Sequence, residues 1–529
     1  MATTSSNQEI HFNDEPSLSS SELRKAAIDF DIPYVELSDA NVDEDLFAYF
    51  PVGEIFRRNV LPIQRCGQMI QVVLSDPFDL ETLEELGALS GQQLVPALAP
   101  AEEIAKTIKR CLGVGGGTVG DMVADGDGDP FGLESQVTNL DEDSEQRSVV
   151  KLVNELLADA VEHEASDIHI EPDETGLEIR YRIDGLLHVQ PVPQEMRRFR
   201  DAIVTRIKII SKLNIAEKRL SQDGRIKLKV SGREIDIRVS IIPMLHGEGV
   251  VMRILDRSRN VFELDSLNFP DVLNTRFREL IRRPHGIMLL TGPTGSGKTT
   301  TLYSVLAEIR DPTIKIITVE DPVEYSLPGI RQIQVHDKIG RTFASGLRSI
   351  LRHDPDVILV GEIRDAETAR SAIQASLTGH LVFSTLHTND SASAFARLVD
   401  MGVEPYLVAS TVEGVMAQRL VRRLCDKCKV PYSPTECDLP SDFPRPLPET
   451  LFEPAGCRDC QESGYRGRLA IYELLTADEE VRRLCTQRAT SGAIREHAVR
   501  SGMISLRECG WGFVQDGVTS VDEILRVSG

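Results

Sequence analysis

Hydrophobic and polar positions change period several times along the chain, and each change predicts a different element. The segments "LRKAAIDFDIPYVEL", "MIQVVLSDPFDLETLEELGAL" and "AEEIAKTIKRCLG" alternate helical and strand patterns, which predicts a small α/β or α+β domain over residues 21–112. Next, "SVVKLVNELLADAVEHEA" places apolar residues three and four apart, the signature of an amphipathic helix. The runs "LEIRYRIDGLLHVQPV", "GRIKLKVSGREIDIRVSIIP" and "GEGVVMRIL" are β-rich, and "RFRDAIVTRIKIIS" between them is helical. Together they predict a second, α+β domain over 147–258. A third domain follows over 259–529, where the apolar run "GIMLL" leads into "TGPTGSGKTT" and then into the helically spaced "TLYSVLAEI".

Composition refines this picture at three places. Residues 1–20 are polar and Ser-rich and read as a disordered leader. Residues 113–146 hold nine acidic and no basic side chains, so they supply -9 of the net -23 and leave -14 elsewhere. Such a stretch reads as an acidic, flexible, self-repelling linker. A chain this acidic is a poor nonspecific ligand for nucleic acid, and no nucleic-acid partner is expected. The N-terminus lacks a basic start followed by an apolar core, and no stretch approaches 18 apolar residues, so a cytoplasmic location is expected. Nine cysteines without an export signal point to thiols or metal ligands before disulfides.

A strand, a glycine loop and a helix in that order make a phosphate cradle. In this reading the loop of Gly292, Pro293, Thr294, Gly295, Ser296 and Gly297 surrounds the phosphates with the backbone N–H groups of its non-proline residues, with Thr300 continuing the motif. Lys298 is placed to reach the β and γ phosphates of ATP, and the Thr299 hydroxyl to bind Mg²⁺. Hydrolysis also needs carboxylates at the carboxyl ends of neighbouring strands. "IKIITVEDPVEY" supplies Glu320 and Glu324, and "DPDVILVGEIRD" supplies Glu362. Glu362 can polarise the attacking water or hold Mg²⁺ through water, and Glu320 can act as base or orient the nucleophile. His387, in "TGHLVFSTLHTND", is placed to sense the γ-phosphate. Cys425 with Cys428 ("CDKC") and Cys457 with Cys460 ("CRDC") form two CxxC turns, the pattern of a Cys₄ Zn²⁺ site within an insertion at 424–462. The Pro-rich segment between the pairs is expected to make little core, leaving metal to organise it.

Taken together, "GIMLLTGPTGSGKTTTLYSVL", "TVEDPVEY", "SGLRSILRHDPDVILVGEIRDAETA", "TGHLVFSTLHTNDS" and "AQRLVRRLCDKC" resemble the assembly ATPase of type II secretion, the general secretory pathway E family. "ASDIHIEP", "YRIDGLL", "IAEKRLSQDGRI" and "IDIRVS" extend the resemblance into the second domain, from about Val149 to the C-terminus. It departs from many members at Thr299, where Ser is common, and at Ser221, where Pro is common. The resemblance implies an α/β fold in which a RecA-like P-loop ATPase domain follows an α+β, PAS-like domain and a small N-terminal domain. It also implies a homo-hexamer at the cytoplasmic face of the inner membrane, touching the membrane only through platform proteins that dock on residues 21–112. Arg219, Arg225 and Arg238 match family arginines that face the nucleotide. A pilus-assembly or DNA-uptake motor is the near alternative, and a nucleotide-gated adaptor with little turnover is the distant one.

Overall fold

The computed structural model describes residues 20–37, 40, 42–113, 115, 118, 142–174, 176–230, 233–256 and 262–528. The leader expected over 1–20 therefore falls outside it except for Ser20, as does most of the acidic linker. The chain divides into two compact units, Met1–Ser258 and Arg259–Gly529.

The first unit opens with a three-stranded sheet of β1 (Leu61–Cys66), β2 (Met69–Leu74) and β3 (Gln93–Leu98), in that order. β1 and β2 form an antiparallel hairpin, and β3 runs parallel to β2 after the crossover helix Leu80–Ser90. Asp79 caps that helix by accepting from Thr82 N, and Gly91 ends it in the left-handed conformation. Leu61, Ile63, Ile70, Val72, Val73 and Leu74 form the core of this sheet.

A long helix, Glu142–Glu162, then leads into six strands. It begins five residues before the expected domain boundary, so residues 142–146 of the expected linker are helical. The strands are β4 (Asp167–Pro172), β5 (Leu177–Ile183), β6 (Leu186–Gln190), β7 (Gln222–Val230), β8 (Arg233–Met244) and β9 (Gly247–Asp256). They form an antiparallel sheet in the order β6-β5-β4-β9-β8-β7. Alternation along each strand puts Ile168, Ile170, Ile179, Tyr181, Ile237, Val239, Val250 and Met252 in one core with Leu152, Leu156, Ile203 and Ile207 of the helices. The opposite face carries charge.

The second unit is built on a seven-stranded sheet. Its strands are β10 (Gly286–Thr291), β11 (Ile316–Glu320), β12 (Arg331–Gln334), β13 (Val357–Val360), β14 (Leu381–Leu386) and β15 (Val412–Leu424). A small ribbon of β16 (Val430–Tyr432) and β17 (Leu451–Glu453) precedes the last sheet strand, β18 (Tyr465–Thr476). The order is β12-β11-β13-β14-β10-β15-β18, parallel throughout except for β18, which pairs antiparallel with β15. β10, β13 and β14 are buried at every residue, as expected for strands covered by helices on both faces. One apolar cluster includes Leu289, Val319, Ile358 and Val382, and another includes Leu290, Leu359, Phe383 and Met416.

Candidate functional site

Because β10, β11, β13 and β14 run parallel, their carboxyl ends lie along one edge of the sheet. β10 ends at Thr291, which pairs with Leu386 at the end of β14. The Thr291 hydroxyl ties the two strand ends together: it accepts from Thr388 N at 2.9 Å and can donate to Thr388 O at 2.9 Å. The glycine loop follows, and the helix Lys298–Ile309 begins at its last turn. Gly297 has φ +87, a conformation open to glycine, and a Cβ there would lie 2.7 Å from the Gln418 amide nitrogen. The loop therefore turns tightly against β15.

Within the loop, Lys298 Nζ donates to the carbonyls of Gly292 at 2.8 Å and Pro293 at 2.9 Å. Burial lowers its pKa to about 8, against the opposing pull of Glu362. Ser296 Oγ is buried with no hydrogen-bond partner among the described residues, and Thr299 and Thr300 are exposed at the first turn of the helix. These groups fit a polyanion: an ammonium satisfied only by neutral carbonyls, an orphaned hydroxyl, and a helix N-terminus whose first N–H groups have no intrahelical acceptor.

Glu362 sits two residues past β13, with its side chain 14% exposed. It accepts from Arg364 Nη2 at 2.5 Å, and His387 Nε2, one residue past β14, lies 3.3 Å from its other oxygen. The geometry thus brings Glu362 and His387 together from two strands. Glu320, the last residue of β11, has a different environment. It is 4% exposed and accepts from Thr318 Oγ1 at 2.5 Å, Gln332 Nε2 at 3.2 Å and the Tyr303 hydroxyl. Burial and the neighbouring Glu320 charge raise the Tyr303 pKa, keeping its phenol a donor. Since Tyr303 belongs to the helix that starts at Lys298, Glu320 fastens that helix to the sheet. Glu324 lies in the segment between β11 and β12.

Two neighbours of the loop come from β15. Gln418 accepts from Thr301 Oγ1 at 2.9 Å, and Arg419 Nη2 donates to Asn389 O at 2.9 Å. Sequence reasoning assigned neither a role; their signal was the "AQRL" run, which lies more than a hundred residues after the glycine loop.

The three arginines of the first unit belong to its charged face or to the loop before β7. Arg219 lies in that loop, 88% exposed and 3.4 Å from Glu217. Arg225 pairs across strands with Arg238, and Arg238 with Arg253. Arg253 in turn faces Asp167, and Asp167 faces Arg182, giving one row across five strands. Arg253 Nε is 3.1 Å and Arg182 Nε 3.8 Å from Asp167. Arg182 and Arg253 are further cations that the sequence reading missed.

The four cysteines converge. Their Sγ atoms all lie within 4.8 Å of one another, with Cys425–Cys457 and Cys428–Cys460 at 3.8 Å and Cys457–Cys460 at 3.7 Å. Four thiolates about 2.3 Å from one Zn²⁺ in a tetrahedron stand about 3.8 Å apart, so the donor set fits that ion. Cys457 N and Gly464 N both donate to Cys460 Sγ, orienting the ligand from behind. The segment between the CxxC turns corrects one expectation: Leu439, Phe443 and Leu451 are buried with Trp511 and Val514, so the insertion contributes core despite its prolines.

A parallel sheet with a glycine loop at the end of one strand, and an acid and a histidine at the ends of two others, defines a P-loop nucleotide-binding protein. Residues 142–526 match the family described as Type II/IV secretion system protein, and residues 30–118 match the MshEN domain. The chain belongs to the type II/IV secretion system protein family and is an ATP hydrolase. It is 42% identical to the type IV pilus assembly ATPase PilB of Myxococcus xanthus, over 94% of this chain and 89% of that one. It is 48% identical to the type II secretion system ATPase E of Vibrio cholerae, over 77% of this chain and 81% of that one. Its fold is similar to that of the Yersinia pseudotuberculosis ATPase DotB, with a TM-score of 0.52 at 22% identity, covering 75% of this chain and 96% of that one. Among the described residues, no helix is long and apolar enough to cross a membrane.

Proposed function

We propose that this ATPase is the assembly motor of a type II secretion system, driving growth of a pilin-like fibre from the cytoplasmic face of the inner membrane as a homo-hexamer. The observation that carries the chemistry is the convergence of Lys298, Glu362 and His387 at the carboxyl ends of adjacent strands. In this reading the loop N–H groups and Lys298 bind the ATP phosphates, and Thr299 holds Mg²⁺, which neutralises charge on the phosphate oxygens. Glu362 accepts the proton of the attacking water, or orients it, and His387 reports the state of the γ-phosphate through its contact with Glu362. Glu320 positions the phosphate-loop helix, and Glu324 flanks the same strand end. Arg219, Arg225 and Arg238 supply positive charge to the transition state. Residues 21–112 dock on a membrane-anchored platform, and Cys425, Cys428, Cys457 and Cys460 hold one structural Zn²⁺.

Pilus assembly is the second reading, favoured by the pilus ATPase relative whose match extends over 94% of the chain, N-terminal domain included. Glu362→Gln tests the enzymology: the amide keeps the shape but not the basicity, so MgATP binding is retained and turnover falls by at least ~10²-fold. Wild-type turnover in that variant defeats the assignment. A strain carrying the same variant separates the readings, because failure of protein export with intact surface pili supports secretion and the reverse supports pilus assembly. Metal analysis of the purified chain is expected to find one Zn²⁺ per protomer, lost in Cys425→Ser and Cys460→Ser, with nucleotide affinity preserved wherever the variants remain folded. A metal-free wild type refutes the zinc assignment.

A further inference from the structure

Among the described residues, one cation at the phosphate loop has no anion within ion-pair distance. Arg419 lies two residues beyond Ala417, which pairs with Thr291 at the last rung before the loop. A Cβ on Gly292 would lie 3.2 Å from Arg419 Nη1, so the guanidinium rests against the first residue of the loop. Its contacts are all with neutral oxygens: Nη2 donates to Asn389 O at 2.9 Å and Asn389 Oδ1 at 3.2 Å, and Nη1 lies 3.5 Å from Gln418 O. Asp390 and Glu473 act on it only through space, and both have donors of their own. Asp390 accepts from Ser393 N and Ser393 Oγ at 2.8 Å, and Glu473 from Ser391 N at 2.9 Å.

Other half-buried arginines of this unit show the usual solution. Arg422 pairs with Glu523 at 2.7 Å, Arg482 with Glu413 at 2.9 Å and Arg278 with Glu308 at 2.5 Å. Arg419 instead has its pKa pulled down by burial, and its charge opposes that of Lys298. Two cations held close together, one without a counter-ion, are costly in the empty loop and are relieved by an incoming polyanion.

We propose that Arg419 is a second phosphate ligand, its guanidinium leaving Asn389 to bind phosphate oxygens of the nucleotide together with Lys298. The assignment rests on the nucleotide reading of the loop given above. It adds a link, because Asn389 lies two residues past His387, whose imidazole meets Glu362. Release of Asn389 by Arg419 thereby joins phosphate occupancy to the segment that carries the histidine. The competing role for Arg419 is a strut that holds the Asn389 turn in place whether or not nucleotide is present.

Arg419→Met in the full chain keeps the apolar stem and removes the charge. The expected result is a melting temperature without nucleotide equal to or above wild type, since an uncompensated charge has gone. MgADP and MgATP affinities, measured by calorimetry, fall roughly ten- to hundredfold, the scale of lost charge-assisted hydrogen bonds. Arg419→Lys, which restores a point charge, recovers part of the loss. Unchanged affinities, or a lower melting temperature without nucleotide, overturn the proposal, the second outcome being the mark of a strut. Lys298→Ala run in parallel separates the two levels. Loss of binding in Lys298→Ala with full binding in Arg419→Met removes only the Arg419 assignment, whereas full binding in both removes the nucleotide reading of the loop.

Discussion

In the seven-stranded sheet, β10, β13 and β14 are buried along their whole length, whereas the six-stranded sheet packs one face on helices and leaves the other lined with charge. A strand buried on both faces meets solvent only at its ends. The candidate chemistry of that sheet accordingly falls on residues just past a strand: the loop after Thr291, Glu362 after Val360 and His387 after Leu386. A one-faced antiparallel sheet offers its whole open surface. There the candidate residues are aligned by register across strands, as Arg182, Asp167, Arg253, Arg238 and Arg225 are. Two ways of exposing a sheet thus give two kinds of site, one local in sequence and one scattered.

The largest expected effect tests whether the scattered row serves the local site. Arg225→Ala and Arg238→Ala are expected to lower ATP turnover by ~10³-fold, the lower end for an arginine finger, while nucleotide affinity measured by calorimetry stays near wild type. Full turnover in both variants leaves the row without a role in hydrolysis. A smaller effect sharpens the structural side of the contrast. Leu289→Ala, at a fully buried position of β10, is expected to cost about 2–5 kcal/mol of stability in denaturant unfolding. Asp167→Asn, at an 8% exposed carboxylate whose arginine partners are 35% and 56% exposed, keeps a hydrogen-bond acceptor and is expected to cost less, about 1–2 kcal/mol. Comparable losses at the two positions would mean that the charged face is held as tightly as the buried strands.

The same contrast explains what was legible beforehand. The glycine loop and the two CxxC turns are contiguous, and each residue type has a chemical reason for its spacing. Their environments could be named from the sequence. Glu320 and Glu362 are equally visible as acids at strand ends, but only side-chain packing separates them: one is saturated by Tyr303, Thr318 and Gln332, and the other faces His387. Arg182 and Arg253 were hidden because their alignment depends on strand register, which no contiguous motif records. Gln418 and Arg419 were hidden for a related reason, since β15 reaches the loop by parallel pairing with β10. The buried Phe443 and Leu451 escaped because a Pro-rich composition argues against core, while the partner that buries them, Trp511, lies far along the chain.

The thirteen residues of β15 have a mechanical consequence. At Gln418 and Arg419 the strand touches the phosphate loop; its last residue, Leu424, adjoins the first cysteine of the knuckle. At the ordinary strand rise of about 3.3 Å per residue, Arg419 and Cys425 are about 20 Å apart along one rod. β18 braces the rod through a ladder broken by one bulge, between Arg422 and Leu424, and there Glu523 of the C-terminal helix grips Arg422 through both backbone and guanidinium. The phosphate loop and the knuckle are thereby held by one continuous strand, and the break in its ladder between them is clamped by Glu523.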